Sequence, residues 1–243
     1  MTCRAAAASN GVGITWVDPE MLTFSHGGAA LVKSDVLAPI AFIGQYLLLD
    51  HRDVPPNDGD LVVVETFDGD RLARRFWRYE GCVNLEAANP TTPAAPIVLP
   101  TDQCSARRVI GVLFEGPNCR SGGVGEEWAA PGDLKGAQFK GIFGIRVDGT
   151  SFEPIARDGQ VVLAKKVEEL SGIANGTLAC FDIDGIGAVL KRCYSVGDKW
   201  ILCPANPVEV EEPILIDVSA VFHAYKIVGV LFEPGPPEKK REV

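Results

Sequence analysis

The chain has 243 residues, 47% of them hydrophobic, and a formal net charge of −9. That length allows one large domain or two small ones with a sizeable core. The acidic balance, −4 up to Ser121 and −5 after it, excludes a protein that grips nucleic-acid phosphates through a net basic face.

With 26 Gly and 17 Pro, turns should be frequent and long helices few. Seven cysteines (Cys3, Cys82, Cys104, Cys119, Cys180, Cys193 and Cys203) form no C-x-x-C pair. Their odd number fits reduced thiols in a cytoplasmic protein better than a disulfide framework or a zinc site. His26, His51 and His223 are scattered, so neither a metal nor another cofactor is expected.

In chain order, MTCRAAAASNGVG carries an alanine run but no strongly apolar core, so it does not read as a signal peptide. GVGITWVDP follows from Gly11, then VKSDVLAPIAFIGQ from Val32. The longest apolar run, VLAPIAFIGQYLLL, is broken by Pro39 and Gln45 and is too short to cross a membrane. NDGDLVVVETFDG reads as turn, buried strand, turn. RLARRFWRY, from Arg71, gathers four arginines with Phe76 and Trp77. EAANP ends at Pro90, and GVLFE spans Gly111–Glu115. GPNCRSGG (Gly116–Gly123) is polar and Gly-rich, as a joint would be. KWILCPANP and YKIVGVLFE, further on, read again as short strands ending in turns. No segment holds a 3.6-residue period for long, so the fold should be mainly β.

The chain is written twice. GVGITWVDP returns as GVGEEWAAP at Gly123, a shift of 112. VKSDVLAPIAFIGQ aligns without gaps on VDGTSFEPIARDGQ, a shift of 115. NDGDLVVVE meets ANGTLACFD and EAANP meets CPANP, both at 117, and GVLFE recurs at Gly229 with a shift of 118. A shift that grows slowly in one direction is the mark of a tandem duplication with a few loop insertions. The expected organisation is a first domain over 1–116, a joint over 117–122, a second domain over 123–236 and a charged tail over 237–243. Tethering favours two copies packed as an intramolecular pseudo-dimer. On that arrangement RLARRFWRY is expected to form a strand edge against the partner copy rather than a nucleic-acid surface.

The second copy holds GTSFEP, with Ser151, and AVLKRC, with Lys191. Each is bland alone: a turn serine and a strand lysine. Together they make a candidate catalytic pair. A serine hydroxyl needs a neighbouring base to become a nucleophile. An amine serves as that base when burial disfavours its charged form. The tight GTS turn would aim backbone N–H groups at an oxyanion.

GIRVDGTSFEPIARDGQVVLA resembles the nucleophile region of the LexA, UmuD and phage-repressor peptidases: a strand, G-x-S-M-x-P, a D-G-D turn and another strand. GAVLKRC resembles their V-K-R strand, WILCPANP their L-x-x-x-N-P segment, and IVGVLFE their last strand. The resemblance covers nearly all of the second copy. It implies two tandem LexA/signal-peptidase-like β domains. It also implies a Ser–Lys dyad that cleaves a peptide bond, in this chain or in a protein partner, with Ser151 as nucleophile and Lys191 as base. Phe152 replaces the usual Met and should reshape the floor of the cleft; Gln160 replaces the second Asp. The alignment places Val36 opposite Ser151 and Arg74 opposite Lys191. Val has no nucleophilic atom and Arg stays protonated, so the first copy is expected to be a pseudo-peptidase.

The family's upstream scissile bond has its candidate in Ser121–Gly122. A cut there should separate the copies. The resemblance also implies a transcriptional, DNA-damage or phage regulatory circuit and a RecA-like activator. About ten residues precede the first copy, so a DNA-binding domain is expected either from another chain or from a longer protein of which this chain is a fragment, and direct DNA binding is not expected here. The alternative is a non-catalytic docking or dimerisation module on the same fold. A signal-peptidase-like processing enzyme ranks lowest, for want of a membrane segment.

Overall fold

The computed structural model describes residues 15–17, 26–50, 54–114, 128–129, 142–147, 149–150, 152–208 and 211–232. The strands among them are β1 (Thr15–Val17), β2 (His26–Leu31), β3 (Tyr46–Asp50), β4 (Leu61–Thr66), β5 (Arg71–Tyr79), β6 (Cys82–Glu86), β7 (Ile97–Pro100) and β8 (Cys104–Leu113). They continue with β9 (Trp128–Ala129), β10 (Ile142–Arg146), β11 (Val161–Val167), β12 (Thr177–Ile183), β13 (Gly187–Val196), β14 (Lys199–Cys203), β15 (Ile214–Asp217) and β16 (Val221–Leu231). Only short 3-10 turns accompany them among the described residues. The mainly β expectation is met.

Local sequence explains the strand boundaries. β4 is a run of four buried aliphatics, Leu61 to Val64, as a strand covered on both faces requires. It begins after Gly59 and ends before Gly69, whose φ values of 88° and 85° suit glycine alone at low cost. Asp60 closes the first turn by accepting from the Asn57 N–H at 2.8 Å.

The chain forms two compact units, one of residues 24–140 and one of residues 1–23 with 141–243. In the first the antiparallel strand order is β9-β2-β3-β8-β4-β5-β6-β7. In the second it is β1-β10-β11-β16-β12-β13-β14-β15. Shifted by the repeat, these are one topology. The repeated sequence even reproduces its irregularity. The β3–β8 ladder slips between Leu48 and Leu49, where Gly111 opposes Leu48. The β11–β16 ladder slips between Leu163 and Ala164, where Gly229 opposes Leu163. Gly111 and Gly229 open the two GVLFE copies, so that repeated string marks a β-bulge.

The lead strands alone break the match between repeat and unit. β1 comes from the first repeat and pairs with β10 of the second. β9 opens the second repeat and pairs with β2 of the first. Each repeat therefore completes its sheet with the other's lead strand.

Each unit has its own core. Val62, Val64, Phe76, Val83 and Leu85 pack together in the first. Phe181, Ile183, Trp200 and Leu202 anchor the second, with the Phe181 and Trp200 rings 5.7 Å apart. RLARRFWRY is β5, hydrogen-bonded to β4 on one side and β6 on the other. The expected strand edge is thus an interior strand, and its polar groups serve its own sheet. Arg75 donates to the Gly59 carbonyl at 2.7 Å, Arg71 pairs with Glu65 at 3.4 Å, and the Trp77 indole donates to Glu86 at 2.9 Å.

Candidate active site

The nucleophile turn leaves the end of β10 and runs into β11. Position 151 itself lies outside the described residues, and so do Ser121 and Gly122. The backbone around Ser151 is held from both sides. Gly149, at φ 82°, donates its N–H to Asp158 at 2.9 Å. The Thr150 carbonyl accepts from Asn206 Nδ2 at 2.9 Å and from the Glu153 N–H at 3.0 Å. On the far side Phe152 is 1% exposed, and its carbonyl accepts from Ile155 and Ala156. Phe152 is therefore a core anchor beside the serine. A bulky ring there fixes the turn from below, where the sequence suggested a reshaped cleft floor.

Gln160 takes over the structural work of the missing Asp. Its Oε1 accepts from the Arg157 N–H at 2.8 Å and closes the turn. Gln45 does the same for Phe42 in the first unit, at 3.0 Å. Backbone pairs lock both turns alike: Val147 to Gln160 matches Val32 to Gln45, each at 2.8 Å.

Lys191 lies on β13 opposite Ala179. It is 8% exposed, a buried charge-bearing residue, and it shares the core-facing side with Cys193 two positions on. Its Nζ donates to a Glu211 carboxylate oxygen. Glu211 sits between β14 and β15 and is about half-exposed. In this arrangement the amine is the donor of an ion pair, whereas a general base needs a free lone pair. The sequence reading anticipated the burial and missed the carboxylate.

Two thiols of the second unit are poor competitors as nucleophiles, while Cys203 on β14 is a half-buried free thiol. Burial, with Asp182 nearby, pushes the Cys180 thiol up to about 12. Burial also carries Cys193 to about 11, against a backbone hydrogen bond and Arg192. Both stay protonated at neutral pH and are poor nucleophiles. Among the described residues no group of acidic, histidine or cysteine side chains could hold a metal ion.

The first unit presents the same frame without the chemistry. Val36 sits in the 3-10 turn Asp35–Leu37 and is buried. Asn89 Nδ2 donates to the Asp35 carbonyl at 2.9 Å, as Asn206 does to Thr150, and the Asn89 N–H donates to the Val36 carbonyl at 2.8 Å. Arg74 lies opposite Val62, the register of Lys191 opposite Ala179. Its Nη1 donates to Ala73 at 2.9 Å while its Nε is buried with no hydrogen-bond partner. Burial lowers the Arg74 pKa from its usual value, yet an arginine does not become a base in proteins. Where the second repeat has Glu211, the shift of 117 gives Ala94.

Two residues thus join the site beyond the dyad: Asn206, which fixes the carbonyl before Ser151, and Glu211, which engages Lys191. The duplicated ANP string was a signal for the first. Nothing in the acidic loop VEVEEP singled out the second.

No curated protein matches the chain. The family model described as Peptidase S24-like matches it twice, over residues 3–114 and 125–232. Those matches cover both repeats, the turn of Ser151 and the strand of Lys191 included, and the chain belongs to the Peptidase S24-like family.

Proposed function

We propose that the second repeat is a Ser–Lys peptidase that cleaves a peptide bond in its own chain or in a protein partner, with the first repeat as its non-catalytic companion. Ser151 Oγ attacks the carbonyl carbon while the neutral Lys191 amine accepts the hydroxyl proton. The proton passes to the leaving amine nitrogen as the C–N bond breaks. Water then attacks the acyl-serine ester, again through Lys191, releasing the new carboxylate and restoring the serine. Backbone N–H groups at the turn would stabilise the oxyanion.

The observation that carries this reading is Lys191 itself. A lysine is buried on the strand where the resemblance to LexA-type peptidases puts the base, in the repeat that has a serine at 151. Its counterpart sites hold Arg74 and Val36. A cytoplasmic regulatory role, in transcription, DNA damage or phage control with a RecA-like activator, is part of the same proposal and rests on resemblance.

The test is intact mass. Purified protein is incubated between about pH 7 and 9, together with Ser151→Ala and Lys191→Met. The wild type should cleave, and both variants should stay whole. A wild type that never changes mass overturns self-cleavage, and a Ser151→Ala variant that cleaves equally overturns the role of Ser151.

One observation favours a second reading. Glu211 occupies the Lys191 amine, which suits a docking module that has set catalysis aside. A partner captured equally by wild type and Ser151→Ala, with neither protein ever cut, would support that module.

A further inference from the structure

Each repeat holds a cation at the same point of the shared topology, and the two cations are treated differently. Lys191 on β13 is opposite Ala179, and Arg74 on β5 is opposite Val62. The shift of 117 holds on both sides of the loop that joins β6 to β7 and β14 to β15. Asn89 matches Asn206 before it, and Ile97 matches Ile214 after it. Position 94 is therefore the counterpart of position 211. In the second repeat this loop meets the buried amine with the Glu211 carboxylate. In the first it carries Ala94, which has no carboxylate.

Arg74 is left without a counter-charge. It points to the same side of β5 as Phe76, two positions on, which belongs to the core of the first unit. β5 also packs against the Asp35–Leu37 turn that holds Val36. Arg74 is half-buried, its Nε is buried with no hydrogen-bond partner, and its Nη1 reaches only the Ala73 carbonyl. No acidic side chain among the described residues pairs with it. Burial lowers its pKa, and no carboxylate works against that. Other arginines of this sheet are provided for. Arg71 pairs with Glu65, Arg75 donates to the Gly59 carbonyl, and Arg108, in the same row across Val62, pairs with Asp60 at 3.2 Å. A desolvated cationic N–H without an acceptor is costly, and a carboxylate is the group that fits a guanidinium fork best. The other repeat places a glutamate at this very position.

We propose that the first repeat is a binding site for an acidic peptide, one of whose side-chain carboxylates docks on Arg74 beside Ala94, as Glu211 docks on Lys191 in the second repeat. The repeat that has lost the dyad thereby keeps a use for the frame. This stands whether or not the second repeat cuts peptide bonds, because it involves neither Ser151 nor Lys191.

Fluorescence anisotropy on the full chain tests it. The probe is a labelled VEVEEP peptide, the string that contains Glu211, with VQVQQP as the uncharged control. VEVEEP should bind, and VQVQQP should bind at least about tenfold more weakly. Arg74→Leu should cost the wild type a similar factor. Ala94→Glu changes a half-buried loop position and supplies the carboxylate from within. It should weaken VEVEEP binding about tenfold and raise the melting temperature by about 2–4 °C. No binding of VEVEEP, equal binding of the two peptides, or unchanged binding by Arg74→Leu or by Ala94→Glu overturns the proposal. Ala94→Glu that weakens binding without raising the melting temperature overturns the pairing with Arg74, since added charge then acts at a distance. Acetate or inorganic phosphate that displaces the peptide at equal concentration overturns the peptide as the ligand and makes this a site for free anions.

Discussion

Glu211 makes the base position conditional. A carboxylate engaging a buried amine holds it as a donor, so the serine can be activated only when that contact opens. The carboxylate is about half-exposed, and an ion pair with one solvated partner is worth roughly 1 kcal/mol or less. Glu211→Gln should therefore speed self-cleavage about fivefold at a given pH, as the free-energy cost of opening falls. Single-turnover rates by mass spectrometry would read it. An unchanged rate would mean that the contact does not limit catalysis, and a fall would make Glu211 an orienting group. Sequence could not have shown this contact: Glu211 lies 20 residues from Lys191, in a loop with several other acids. Ser151 and Lys191 stood out as candidates because their type and spacing resemble a family pattern. Asn206 was legible as a motif, and its work on Thr150 became visible only once the two loops met.

At the scale of strands, binary pattern and turn glycines carried most of the fold. LVVVE between two D-G turns reads as a buried strand and is one. RLARRFWRY misled because its four arginines look like solvent. Three of them instead donate within the unit to a carboxylate or to main-chain carbonyls, which lets a basic strand lie inside a sheet. The core of the second unit carries a pH dependence. Cys180 on β12 and Cys193 on β13 are held protonated to about 12 and about 11 by burial. In the unfolded chain both ionise near the ordinary thiol value. Folded pKa values above unfolded ones give stability that is complete below about pH 9 and is lost as pH rises towards 11–12. Each pH unit above about 9 should remove roughly 1.4 kcal/mol per thiol. Denaturant midpoints at several alkaline pH values should therefore fall, and Cys180→Ala should flatten the decline. The search for base-dependent cleavage belongs below that range.

At the scale of the molecule, duplication was legible in five matched strings, while the crossing of the lead strands was not. Trp16 and Trp128 occupy the same place in their repeats, and a strand of two or three residues carries no signal for which sheet it will join. Backbone pairing alone reveals that each belongs to the other repeat's sheet. This has a consequence opposite to sequence intuition. A proline at Trp16, near the start of the first repeat, removes a backbone donor and disfavours β1. The loss should appear in the second repeat. β10, Ile142–Arg146, would become an edge, and its amides should exchange with deuterium at least tenfold faster. The amides of β2, His26–Leu31, should be unaffected. Trp128→Pro should do the reverse, exposing β2 and sparing β10. Hydrogen exchange with peptide-level mass spectrometry separates the two segments cleanly. Trp16→Pro that loosens β2 instead would show that each repeat keeps its own lead strand.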